Sequence, residues 1–205
     1  MGYYPRPLAI RSAAVEARDL TVSWLVISLC FSIPYLLAGD AHGVAASFIA
    51  VGTGFILHEL AHRTVARSMG LIAGYRAWWG GLLLALTIAV LTTAVLRTTI
   101  VFAAPGAVII YSPWSGAEAL YASYLISIAG PLTNAGIAIA SWILSRVLPP
   151  LPGYYAYVTA YVNAVLALFN SIPIPPLDGY KVLRYSVTHW ALLMALTIVV
   201  YVVVG

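Results

Sequence analysis

The sequence predicts an all-α polytopic membrane protein of about six transmembrane helices with a short membrane-associated β-hairpin. Three observations predict it. Hydrophobic residues make up 62% of the chain and charged residues 8%, against about 45–50% and about 25% in soluble domains. Long runs without a charge recur along the chain. One run, Thr98 to Tyr111 (TTIVFAAPGAVIIY), is β-branched and aromatic with Pro105-Gly106 at its centre, and reads as two short strands around a turn. This composition excludes an ordinary water-soluble globule, and it excludes disorder, which needs polar and charged residues. Cys30 is the single cysteine, so an internal disulfide and thiolate metal clusters are ruled out. The net charge of +4 is spread over short loops, with no basic stretch interleaved with aromatics. It marks membrane topology, so the lipid bilayer is the expected partner and nucleic acid is not. The N-terminal segment is charged over too great a length for a cleaved signal peptide. Residues 1–205 read as a single transmembrane domain.

The elements follow in order. Leu20 to Ala38 is an uncharged run of 19 residues, about 28 Å as a helix and enough to cross a hydrocarbon core; Pro34 is placed to kink it. A loop with Asp40 and His42 leads to a second run, Val44 to about Ser68, which carries His58, Glu59, His62, Arg63 and Arg67. Ala77 to Leu96, Thr98 to Ala117 with its hairpin, and Ala119 to Ser145 come next. Val147 to Leu177 opens on Pro149, Pro150, Pro152 and Gly153, read as a loop. It closes on Pro173, Pro175 and Pro176, which leaves a helix of about Tyr154 to Ser171. Tyr185 to Gly205 is the last run. Trp78-Trp79, Trp114 and the tyrosines 154, 155 and 157 stand where interfacial aromatic belts belong. There is no internal repeat, so an inverted-repeat transporter gains no support.

Chemistry enters with His58-Glu59-Leu60-Ala61-His62, the pattern H-E-x-x-H. Residues four apart on a helix lie one above the other, so both imidazoles face one side and can share one metal ion. Zinc takes nitrogen ligands at about 2.0–2.1 Å and keeps an open position at catalytic sites. Glu59, beside the first histidine, is placed to act as a general base toward water. Three ionisable groups inside an apolar helix cost several kcal/mol unless paired, and a metal pairs them. A third ligand must come from another segment, and Asp19, Asp40, Glu118 and Asp178 are the candidates. Asp178 follows a proline-stiffened segment at the end of a membrane helix, where non-helical backbone can line a polar site. Its other reading is an interfacial carboxylate paired with Lys181 or Arg184. Asn134, among the small residues Gly130, Gly136 and Ala140, is either part of a close helix-packing face or an active-site donor. His42 and His189 stand isolated near span ends and read as bystanders.

Phe55 to His62, with its H-E-x-x-H, and Phe169-Asn170-Ser171-Ile172-Pro173-Ile174-Pro175-Pro176-Leu177-Asp178-Gly179 together resemble the site-2 protease family of intramembrane zinc metalloproteases. That family reads F-N-x-x-P-x-x-P-x-D-G around its third ligand. Ala129-Gly130-Pro131-Leu132 is similar to its A-G-P-L motif. The resemblance covers about Val44 to Lys181. It implies a catalytic core of about 44–181 flanked by peripheral helices 20–38 and 187–204, in a minimal form without PDZ or CBS modules. It further implies Asp178 as third ligand to one catalytic zinc ion beside His58 and His62, Glu59 as general base, and Asn170 as a polar helper to substrate or oxyanion. Tyr180 stands where many members carry a second glycine after D-G.

A shared metal sets a topology. His62 and Asp178 must meet at one depth, so the helices that end near them run toward one face and the 119–145 helix runs back. Residues 67–119 then begin and end on the same side, and 81–97 must cross and return or enter and leave. That side gathers Arg6, Arg11, Arg18, Arg63, Arg67, Arg76, Lys181 and Arg184, and should be cytoplasmic. The expected activity is hydrolysis of peptide bonds within or beside transmembrane segments of membrane-protein substrates, in a multi-pass protein of a prokaryotic cell membrane with its active site nearer the cytoplasmic face. The alternative is a zinc-binding membrane protein without proteolysis, a pseudoprotease or metal carrier; a carrier has no need of a base beside its ligand. Oligomeric state has no signature in the sequence.

Overall fold

A computed structural model describes residues 13–101 and 106–205. The chain runs α1 (Ala13–Ala38), α2 (Ala41–Val51), a π-helical turn (Gly52–Ile56), α3 (Leu57–Ser68), β1 (Ile72–Ala77), α4 (Trp79–Leu96), β2 (Gly106–Tyr111), α5 (Gly116–Val147), α6 (Pro150–Ser171), α7 (Asp178–Tyr185) and α8 (Val187–Val204). Five helices are long and apolar enough to cross a bilayer: α1, the continuous rod Ala41–Ser68, α4, α5 and α8. This is the architecture of a multi-pass membrane protein. The sixth expected span, α6, has 22 residues but is less apolar. It faces protein more than lipid, packing on α5, α2 and α8 with Ala160, Asn163, Ala164 and Ala167 fully enclosed. Alanines on the facing sides of α5 and α6 let the two backbones approach closely.

Three boundaries differ from the sequence reading, each for a physical reason. α1 begins at Ala13, ahead of Leu20, because the acids in its first turns are neutralised from outside the helix. Glu16 faces Arg63 at 3.4 Å and Asp19 faces Arg76 at 3.6 Å. α6 begins at Pro150, inside the segment expected to be loop, because prolines in a first helical turn need no N–H partner. The hairpin expected over 98–111 is replaced by a longer-range pairing. Thr98–Val101 is not strand, residues 102–105 lie outside the described residues, and β2 pairs antiparallel with β1, from Ile72↔Tyr111 to Ala77↔Gly106.

That pairing answers the path of the middle segment. α4 leaves from the end of β1, and within ten residues of its last turn the chain is back at Gly106, opposite Ala77. The far edge of β1 is closed by α1. The Tyr75 and Ala77 N–H groups donate to Glu16 Oε1 (3.1 Å) and Asp19 Oδ2 (3.3 Å), and the Tyr75 hydroxyl donates to Ser23 Oγ (2.9 Å). Glu16, Asp19 and Ser23, spaced three and four apart, form one polar stripe that reads the strand's edge. Burial pushes the Tyr75 phenol up, so it remains a donor. Gly106, the partner of Ala77, has no room for a side chain, since a Cβ there would meet Arg76 O and the Tyr75 ring. Arg6 and Arg11, expected on the same face, lie outside the described residues.

Candidate metal centre

Three segments far apart in sequence meet at one buried point. The first is the rod Ala41–Ser68, where the π-helical turn immediately precedes α3; such widened turns free backbone carbonyls and are frequent at functional sites. His58 and His62 follow on one face of α3, both buried. The second is α7, whose first residue is Asp178. Ile172 to Leu177 turn the chain out of α6, with Leu177 N–H donating to Ile174 O at 2.9 Å. Gly179 then sits so tightly on the Ser171 carbonyl that no side chain fits. Trp190 of α8 donates to the same carbonyl at 3.0 Å, which seats the end of α6. The third segment is α5.

His58 Nε2 and His62 Nε2 lie 2.9 Å apart, and Asp178 Oδ2 is 3.2 Å from the first and 2.9 Å from the second. A tetrahedral shell with bonds of about 2.0 Å has ligand–ligand edges of about 3.3 Å. The three atoms therefore sit close to the spacing of three corners of a zinc shell. The other ring nitrogens sharpen the fit. His62 Nδ1 is 2.7 Å from the Ile126 carbonyl, which only accepts, so Nδ1 carries a proton and the neutral ring presents Nε2 as a lone pair. His58 Nδ1 is 2.6 Å from Asn134 Oδ1 and reads the same way. Two lone pairs and a carboxylate oxygen facing one point repel each other unless a cation stands between them. Donor set, spacing and outer partners thus agree with a divalent metal. Asp178 Oδ1 takes the Lys181 ammonium at 3.1 Å, while its Oδ2 faces the two imidazoles.

α5 supplies the back wall. A Cβ on Gly130 would meet His58 Cε1 and Nε2 at 2.5 Å and His62 Cε1 at 2.6 Å, so glycine in the A-G-P-L stretch is demanded by the imidazoles. Glu59 is buried beside His58, and its Oε2 has no hydrogen-bond partner among the described residues. It opens on a cavity of about 330 Å³ that His58, His62, Asp178, Asn170 and Lys181 also line, with β2 forming part of its wall. Asn170 Nδ2 spends one hydrogen on Leu166 O at 3.0 Å and keeps a second.

The other candidate acids lie elsewhere. Asp19 serves the sheet; Asp40 caps α2 through Gly43 N–H at 2.9 Å; Glu118 stands in the first turn of α5. His42 meets the Tyr155 hydroxyl, and His189 stacks with Tyr124 and Tyr185. Asn134, open between packing and the active site in the sequence, contacts a candidate ligand directly. The Ile126 carbonyl was invisible there, since any residue has one.

Helical membrane architecture and a buried His-His-Asp group with a carboxylate alongside define a polytopic metalloenzyme class. Among known proteins, the chain is 40% identical over 179 residues to the Methanocaldococcus jannaschii protein named "Putative zinc metalloprotease MJ0611", covering 86% of this chain and 87% of that one. The chain belongs to this family of zinc metalloproteases. The relative's name and the donor set together support zinc as the metal. No family model matches the chain, and no solved structure matches it.

Proposed function

We propose that the protein is an intramembrane protease of the site-2 type, cleaving peptide bonds within or beside transmembrane segments of membrane-protein substrates. One observation carries the reading: Glu59, whose buried Oε2 has no hydrogen-bond partner among the described residues, shares a cavity with a His-His-Asp group spaced to hold a metal. His58, His62 and Asp178 would hold the zinc ion, which would supply Lewis acidity toward a carbonyl and toward water. Glu59 Oε2 takes the proton of the attacking water. The water oxygen forms the new bond to the carbonyl carbon, the C–N bond breaks, and Glu59 returns the proton to the leaving nitrogen. Asn170 offers its second N–H to an oxygen of the substrate. Water enters from the polar side near Lys181.

A helical substrate hides its carbonyls in internal hydrogen bonds, so it must unwind before this chemistry. Segments with helix-weakening residues are the expected substrates. The wall of the cavity suits an extended chain: β1 is closed on one edge by Glu16 and Asp19, whereas the far edge of β2 has no backbone partner among the described residues. The location that fits is a cell membrane, with the site nearer the cytoplasmic face.

Glu59→Gln tests the reading. The variant should keep zinc, measured by metal analysis of purified protein, and lose cleavage of a reconstituted transmembrane substrate by about 10²–10⁴-fold or more. Undiminished cleavage would defeat it. A wild type that binds zinc but cleaves no membrane substrate would favour the non-proteolytic alternative.

A further inference from the structure

We propose that Asn163, which does not line the cavity and is hydrogen-bonded to none of the candidate ligands, is a positioning residue that fixes the tautomer in which His58 presents Nε2 to the metal. It rests on the metal reading of the site, not on proteolysis.

The argument begins at backbone carbonyls, which only accept. Asn163 Nδ2 lies 2.9 Å from Thr159 O and 3.4 Å from Ala50 O, so both its hydrogens are committed and its Oδ1 points the other way. That oxygen accepts from Asn134 Nδ2 at 3.2 Å, and the Gly54 carbonyl accepts from the same nitrogen at 3.3 Å. With both hydrogens of Asn134 spent, its Oδ1 faces His58 Nδ1 at 2.6 Å and requires a proton there. His58 Nε2 is left as a lone pair toward Asp178 and His62. Reversing Asn134 would set its oxygen against two other oxygens, Gly54 O and Asn163 Oδ1. The relay thus has one consistent setting.

The surroundings keep it so. Asn134 and Asn163 are both 0% exposed, so neither amide reaches bulk water. Gly54 lies in the π-helical turn, and a Cβ on it would stand 3.1 Å from Asn163 Oδ1 and 2.8 Å from Leu166 Cδ1. The absence of a side chain lets the amide of α6 reach across to α5. The relay joins the three elements that must be in register for the ligands to meet.

The test uses full-length protein in nanodiscs with ¹⁵N-labelled histidine. In metal-free wild type, nitrogen shifts should show His58 as a single Nδ1–H tautomer. Asn163→Leu should mix the tautomers and weaken zinc binding, by chelator competition, by about 10–100-fold, with helicity unchanged. Asn134→Leu takes away the acceptor through which Asn163 acts on His58, so adding Asn163→Leu to it should shift neither the tautomer nor the zinc affinity further. An Nε2–H tautomer in wild type overturns the proposal without any variant. So does Asn163→Leu with wild-type tautomer and affinity, or strictly additive effects in the double variant. A wild type with the stated tautomer that fails to bind zinc would instead defeat the metal reading on which the proposal rests.

Discussion

Gly130 shows how narrow the tolerances are at the scale of single residues. Its missing side chain is the space that the two imidazoles occupy. Gly130→Ala should displace them and weaken zinc binding at least tenfold, measured by chelator competition. Gly136→Ala, six residues along the same helix with nothing within 4 Å of its added Cβ, should bind zinc as wild type does. Together they separate a general response of α5 to alanine from a clash at the metal group. Glu59 has the opposite problem: a buried carboxylate oxygen without a hydrogen-bond partner is costly. Such a group persists where chemistry needs it bare, which is why Glu59→Gln should preserve zinc while removing turnover.

Elements hold each other through polar contacts as much as through packing. The stripe Glu16, Asp19 and Ser23 binds the edge of β1, and Glu16 also holds Arg63 of α3. Removing one carboxylate leaves a buried strand N–H and a cation without their partner. Glu16→Ala should therefore cost about 1–3 kcal/mol, read from unfolding in SDS–detergent mixtures. If it is silent, the stripe is not what docks the sheet. The same contacts explain what was hard to read in the sequence. Strand character over Gly106–Tyr111 was visible from its β-branched residues, but its partner was not. A strand's local pattern says which face is apolar and nothing about which other strand supplies its hydrogen bonds. Pro105-Gly106 suggested a tight turn, whereas the true partner is β1, across the whole of α4.

For the whole molecule, charge and connectivity give an orientation that can be tested. Arg18, Arg63, Arg67, Arg76, Lys181 and Arg184 gather at the end where β1 and α7 lie, whereas Arg97 and Arg146 close α4 and α5 at the other. We propose on positive-inside bias that the first end is the cytoplasmic one. α8 leaves from that end, so reporters fused to the two termini should report the N-terminus inside and the C-terminus outside. Metal and fold should also be linked, because the candidate ligands come from α3 and α7 and their outer partners from α5. Stripping zinc with a chelator should lower the thermal midpoint, and adding it back should restore it. At free zinc 100 times its Kd the gain is about 2.7 kcal/mol. An unchanged midpoint would mean that the group does not hold a metal in the folded protein.

The sequence by itself determined what depends on local pattern. Scarcity of charge required a membrane protein, helical spacing put His58 and His62 on one face, and two motifs singled out Asp178 and Asn170. Only the tertiary structure decided what depends on contacts between distant segments. Among these are the carbonyl of Ile126 on His62 and the Asn134 amide on His58, 76 residues away. The glycine that makes room for both rings, the pairing of β1 with β2 and the burial of α6 belong with them. The physical reason is directionality. A hydrophobic run can be satisfied by any apolar surroundings, so its sequence is enough to identify it. A hydrogen bond needs one particular partner at one place, and only the folded chain says which.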